Sequence, residues 1–469
     1  MPSWFDIQWP AAGGPFGRLA LGSVVSGSYA LESNANGVRL ARLALSFGAS
    51  EPDSDRREQN FNVGGSVGRL DLAGWLNLNV ADKNAKPVSD YLRTARLAVA
   101  ELDYLGLAFR DVTLDLAAAE GGWRIAVGGP NVVGSITLPA AANSPEPWNL
   151  QFERLRFAVP SVDGPGTGSG AGSTAGEDRA PSSLGSLADP HGIPAINFHA
   201  ADLTAGERHF GDVQGTLLKL DDGISLEHVT VTNPSFTISA QGDWRGKGAG
   251  SGRIVGTLIS NDVQNTLQQL GYAEVIEAKT GRMDFDLSWL GAPTADALSG
   301  AAGHVQLSLD KGQIAGIKPG AGRVLGLASI AALPRRLALD FSDLTDKGLA
   351  FDTVRGDFDL RGGNAYTENV LVKGPAAEIG LIGRVGLKNK DYDQTAVVTG
   401  SLGSSPLPLA GFVGGPVLGA AVLVFTQVFK QPLKGLARGY YRITGSWDNP
   451  TVERIKGADA AAATAEAPK

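Results

Sequence analysis

The chain has 469 residues, 63 of them glycine and none cysteine, with a net charge of −7. That length leaves room for a sizeable core, and the missing cysteines exclude disulfides and thiolate metal sites. The acidic balance argues against nucleic acid as a partner, because phosphate binding needs a basic footprint.

Glycine is present at about twice its usual share, which predicts many turns and short strands. The N-terminus, MPSWFDIQWPAAGGPFGRLAL, lacks the basic start and continuous apolar run of a secretory signal. It reads like the middle of a β domain, so the chain is expected to be cytosolic or to lack its natural N-terminus.

A phrase of about ten residues then recurs. It is GVRLARLALSF at Gly37, GLAFRDVTLDL at Gly106, GISLEHVTVTN at Gly223 and GLAFDTVRGDF at Gly348. Period-two alternation means strand, yet a two-residue step in the middle reverses the parity. In a regular strand that would send the second half's apolar residues to the opposite face. A bulge or bend at the step would keep one apolar face throughout. A second phrase, strand–Pro turn–strand, follows in VTNPSFTISAQGDW and VKGPAAEIGLIG. Trp244, Trp289 and Trp447 sit at strand ends, where packing across turns is the plain expectation.

These patterns divide the chain into a β segment over 1–160 and a Gly/Ser/Pro linker over 161–190 that is expected to be disordered. A second β segment covers 191–394. Within it, Asn261-Asp262 predicts a capped helix over 261–271, and GAGRVLGLASIAAL predicts another over 320–333. An apolar segment over 395–439 precedes a terminal strand at 440–456, and a disordered tail is expected over 457–469.

The apolar segment holds GFVGGPVLGAAVLVFTQVF, Gly411–Phe429, which carries no charge. Pro408, Pro416 and four glycines oppose a plain spanning helix. Only the stretch from Val417 onward suits an uninterrupted helix, and it is too short to cross a bilayer unaided. Lys430, Lys434 and Arg438 follow. An apolar helical hairpin ending in cations suits a membrane surface; a buried core helix is the alternative.

Catalytic signals are absent. The five histidines have no metal-ligand spacing. Gly64-Gly65-Ser66-Val67-Gly68 matches the nucleophile-elbow pattern, but the alternating residues after it belong to a strand, not to the helix an elbow needs. No catalytic residue, cofactor or metal is predicted, and the chain is read as not an enzyme.

Several blocks resemble the C-terminal region of YhdP-type proteins of the AsmA-like family. They are KGQIAGIKPGAGRVLGLASIAALPRRLALDFSDL (Lys311–Leu344), KGLAFDTVRGDF, GPAAEIGLIGRVGL, LPLAGFVGGPVLGAAVLVFTQVF and YYRITGSWDNPTVERI (Tyr440–Ile455). The resemblance is dense over Pro194–Ile455 and looser over Gly37–Val159. It implies an envelope protein of Gram-negative bacteria, anchored in the inner membrane, whose long curled β-sheet offers a hydrophobic groove for phospholipids moving between the two membranes. The chain looks like the C-terminal third of such a protein, without its N-terminal membrane anchor.

The expected fold is therefore mainly β: an elongated, curled antiparallel sheet forming a repeated groove, with a few short helices and a C-terminal apolar hairpin. Leu226, Val229, Val231, Phe236, Ile238, Phe351, Val354, Phe358 and Leu360 are the expected groove wall. Phe412, Val417, Leu418, Val422, Phe425 and Phe429 are expected to meet the membrane, with Lys430 and Lys434 at the headgroups. Expected partners are phospholipids and the inner leaflet of the outer membrane, with a periplasmic, membrane-associated location. A structural envelope protein that binds others through its sheet edges is the competing reading.

Overall fold

The computed structural model describes residues 3–10, 14–34, 37–48, 61–71, 92–104, 107–119, 121–139, 144–158, 190–246, 250–272, 274–293, 300–314, 349–375, 377–400, 438–447 and 449–455. The expected helix at 320–333, the hairpin at 395–439, the linker over 161–189 and the tail lie outside these residues, apart from strand residues at 395–400 and 438–439. The described chain is mainly β and forms two compact units, Met1–Ile224 and Ser225–Lys469. The division falls inside one strand, β13 (Gly223–Asn233).

The first unit contains β1 (Trp4–Phe5), β2 (Phe16–Leu21), β3 (Val25–Asn34), β4 (Gly37–Phe47), β5 (Phe61–Asp71), β6 (Leu92–Tyr104), β7 (Leu107–Ala119), β8 (Gly122–Gly128), β9 (Val132–Pro139), β10 (Trp148–Phe157), β11 (Ile196–Ala205) and β12 (Arg208–Leu220). Most neighbours pair antiparallel, but β4–β5, β5–β6 and β10–β11 pair parallel. This modifies the all-antiparallel expectation, for a physical reason. A parallel pair needs a connection of a dozen or more residues, and residues 48–60, 72–91 and 158–195 supply the three connections. Apolar alternation looks the same whichever way a strand runs. The Gly/Ser/Pro stretch thus joins two strands that are direct neighbours.

The second unit contains β14 (Phe236–Arg245), β15 (Ser251–Ser260), α1 (Val263–Gln269), β16 (Ile276–Leu290), β17 (Ala302–Ile314), β18 (Leu349–Arg361), β19 (Asn364–Lys373), β20 (Ala377–Gly386), β21 (Asp391–Gly400), β22 (Arg438–Ser446) and β23 (Pro450–Arg454). From β14 to β23 each strand pairs antiparallel with the next. The single strand expected over 440–456 is two, because the chain turns back after Ser446, whose carbonyl accepts a 3.1 Å bond from the Asn449 N–H. α1 is the expected capped helix: the Asp262 carboxylate accepts a 3.0 Å bond from the Asn265 backbone N–H.

The parity reversal has a visible cause. In β7, Asp111 takes φ 54°, a left-handed backbone rare in strands. On either side of it the β6–β7 register stays in step, with Val99 opposite Val112 and Leu102 opposite Phe109. All four residues belong to one buried cluster, although each pair on a strand is three residues apart. Arg110 and Asp111 point outward together. The same device recurs in β17, where Lys311 takes φ 53°. There Leu309 and Ile314 share a cluster with Phe351 and Val354 of β18. In β13 it falls on His228, at φ 49°. In β4 the register instead slips by one residue opposite Ala30/Leu31.

Candidate functional site

Register places one continuous apolar face across the second unit. Ile238 lies opposite Leu258, then Met283, Leu307 and Gly356. The next row is Ala240, Gly256, Phe285, Val305 and Phe358; beyond it come Ile254, Leu287, Gly303 and Leu360. No register slip interrupts β14 to β18 in these rows. The apolar residues therefore stay on one side over five strands, as a period-two pattern requires.

Two glycines shape this face. A Cβ at Gly252 would stand 2.4 Å from the Trp289 ring, and one at Gly256 would stand 2.6 Å from the Phe285 ring. Each aromatic ring lies down over the bare backbone of its cross-strand partner, an arrangement that a side chain would block.

The face has a closed half and an open half. At one end of the strands Phe236, Leu309, Val354, Val372, Ile379 and Val398 are fully buried. α1 covers part of this end, with Val263 and Leu267 in the same cluster and Val263 over Gly281. Buried hydroxyls fasten the helix: Thr266 Oγ1 donates to the Ser235 carbonyl at 3.0 Å and lies 2.8 Å from Ser260 Oγ. At the other end Ile254, Leu258, Met283, Phe285, Leu287, Val305 and Leu307 are only half-buried. Such a surface has no polar demand to satisfy and gains most by meeting hydrocarbon.

The opposite face of β14–β18 is polar. Arg253 pairs with Asp286 at 2.6 Å and Arg282 with Asp284 at 2.6 Å. Thr257 Oγ1 donates to Asp284 at 2.5 Å. His304 faces Asp359 at 3.1 Å, and Gln306 donates to Asp357 at 2.8 Å. Hydrogen bonds from Arg282 and Arg253 hold the Asp284 and Asp286 carboxyls below the usual carboxylate range. An open trough of about 560 Å³ runs over this face, lined by His228, Gln241, Thr257, Asp284, Asp286 and His304 among others. Its carboxylates are matched by guanidinium groups. Among the described residues no cluster of three or more His, Asp or Glu could hold a metal ion. Ser66, the serine of the elbow-like motif, lies inside β5.

The expected wall residues separate by burial. Ile238, Phe358 and Leu360 lie half-buried on the open half of the apolar face. Phe236, Phe351 and Val354, at 2%, 3% and 2% exposure, belong to the closed core. On β13, Val231 is buried, Leu226 is half-buried and Val229 lines the trough on the opposite face. The expected membrane residues, Phe412 to Lys434, lie outside the described residues. Reading from the Gly-led phrases missed β15, β16 and β17, which form most of the open face. Their signal was plain alternation in RIVGTLIS, RMDFDLSWL and HVQLSLD.

The first unit repeats the theme. Leu70, Val99, Leu102, Phe109, Val112, Val127, Val132, Phe152 and Ala200 form one buried cluster over β5–β11, with Leu97, Leu114, Ile125, Ile136 and Leu150 against it.

A family model described as YhdP protein matches residues 17–452. The intermembrane phospholipid transporter YhdP of Escherichia coli (strain K12) is 27% identical over 266 residues, 56% of this chain and 21% of the relative. The chain thus spans about a fifth of that relative's length. No solved structure matches. Among the described residues no helix is long and apolar enough to cross a membrane.

Proposed function

Because the chain belongs to the YhdP family, we propose that it shields phospholipid acyl chains against the apolar faces of its β units while lipid moves between the inner and outer membranes. The observation that carries this reading is the half-buried apolar face of β14–β18, kept in register over five strands. Each methylene withdrawn from water onto such a face contributes about 0.8 kcal/mol. No directional bond fixes the chain's position, so the contact is strong in sum and weak at each step. That combination suits cargo that slides. Gly411–Phe429, with Lys430 and Lys434 behind it, is the part proposed to meet the outer membrane's inner leaflet. The location that follows is the cell envelope, at a membrane surface.

The test is native mass spectrometry with organic extraction of the purified chain, before and after exposure to phospholipid vesicles. Bound phospholipid is expected in the wild type, and its loss in Phe285→Asp and Leu287→Asp. Both residues are half-buried, so the variants should keep their β-sheet circular dichroism, with Phe285→Asp melting somewhat lower because its ring no longer covers Gly256. Asp at Val231 or Phe351 would be a poorer choice, since both are core residues at 7% and 3% exposure. Equal lipid in wild type and both variants would overturn the proposal. So would a lipid-free wild type, which would favour assembly through sheet edges.

A further inference from the structure

The open half of the apolar face ends at a tryptophan rim. Trp244, Gly252 and Trp289 stand in one cross-strand row at the ends of β14, β15 and β16. Trp244 is buried at 4% exposure, while Trp289 is half-buried. The Trp289 indole nitrogen is enclosed and makes no hydrogen bond. It lies against Gly252, 2.9 Å from where a Cβ would be. An enclosed N–H without an acceptor is costly, and an indole has nothing but that donor to offer. Immediately beyond, Leu290 is 88% exposed, so the rim borders solvent.

Resting on the lipid-shielding reading, we propose that Trp289 marks the headgroup end of a bound diacyl phospholipid. On binding, the ring turns off Gly252 so that its enclosed N–H meets an ester or phosphate oxygen, while the acyl chains lie along β15 and β16 toward the end that α1 closes. Dimensions support this orientation. Trp289 and Met283 are six residues apart on β16, about 20 Å at 3.4 Å per residue. One leaflet of a bilayer is about 15 Å of hydrocarbon, half of a ~30 Å core. Gly281, just past Met283, already lies under Val263 of α1, so the apolar strip is closed beyond an acyl chain's length. Trp289 then stands at the level that tryptophan takes at membrane interfaces. Among the described residues the closed end has no comparable rim. There the outward residues at the parity reversal are Lys279, Thr280, Asp310 and Lys311, on the opposite side from Ala278 and Leu309.

The experiment uses the full chain loaded from phosphatidylcholine vesicles brominated either near the ester or near the terminal methyl. The difference in emission between wild type and Trp289→Phe isolates the Trp289 signal. Bromine near the ester should quench that signal more strongly than bromine at the methyl end. Trp289→Phe keeps an aromatic ring but removes the donor, and should lower phospholipid retention about three- to tenfold, the range of one neutral hydrogen bond. Stronger quenching from the methyl end would overturn the orientation. Unchanged retention in Trp289→Phe, with lipid lost from Phe285→Asp, would overturn the role of the indole and leave the shielding reading intact. Full retention in both variants would remove the shielding reading and this inference together.

Discussion

Replacing Gly252 with alanine tests whether glycine on the apolar face exists to let rings lie flat. The added Cβ would stand 2.4 Å and 2.5 Å from two atoms of the Trp289 ring. Carbon–carbon contact is favourable only at about 3.5–4.0 Å, so the ring must lift by roughly 1 Å or the strands must part. Overpacking of this kind costs about 1–3 kcal/mol. Alanine also restricts the unfolded chain, a gain of about 0.4–1 kcal/mol, so the net loss should be about 1–2 kcal/mol. For a unit of this size that is about 2–8 °C in Tm. Gly68→Ala is the matched control: it lies in a strand and its Cβ would meet nothing within 4 Å. It should leave Tm unchanged or raise it slightly. Thermal melts followed by near-ultraviolet circular dichroism report both Tm and the tryptophan environment. Equal behaviour of the two variants, with an unaltered tryptophan signal in Gly252→Ala, would refute the reasoning.

Three further outcomes follow from local geometry. Asp262→Ala removes the α1 cap and should cost about 1 kcal/mol, read by urea unfolding; no change would mean that the buried Thr266 contacts alone hold the helix. Asp111→Gly should be near neutral and Asp111→Val should lose about 1–3 kcal/mol, because a β-branched residue resists φ 54°; equal effects would sever parity reversal from backbone strain. The Arg384 hydrogen bond lowers the Asp391 pKa. A depressed folded pKa gives stability that is present above the unfolded value near 3.9 and lost as pH falls through the folded one. Asp391→Asn should therefore destabilise at neutral pH, by about 1 kcal/mol or less for this partly exposed pair, and the difference from wild type should vanish in acid melts.

Much of the fold was legible because strands with one apolar face advertise it. The Gly-led phrases at Gly106, Gly223 and Gly348 each begin at or beside a strand start, in β7, β13 and β18. Their three-residue apolar steps located the left-handed residues Asp111 and His228. The α1 cap was legible from Asn261-Asp262. Strand direction was not: β10 and β11 both alternate, and nothing local says that Phe152 faces Ala200 in a parallel pair. Burial along a strand was equally hidden. Phe236 and Ile238 are neighbours on one face of β14, yet the first lies in the closed core and the second in the open half. What separates them is α1 and the strand length around them, which are tertiary facts.

Parity reversal also bears on how such a face carries cargo. A strand of thirteen residues, such as β17 or β18, twists steadily if it is regular. Reversal at Lys311 sends two consecutive residues on each of three strands outward together: Lys279 and Thr280, Asp310 and Lys311, Asp352 and Thr353. The apolar side at that line is carried by Gly281, Leu309 and Val354 beneath α1, and by Ala278, Gly312 and Phe351 beyond it. The device thus spends its irregularity on the polar face, where water satisfies any backbone group left unpaired. The apolar face stays free of polar interruption across the same line. A regular strand of this length and sequence would turn Ile314, Leu349 and Phe351 toward water. Keeping them inward closes one end of the face as a packed core and leaves the other end, from Met283 to Trp289, for an apolar ligand to cover.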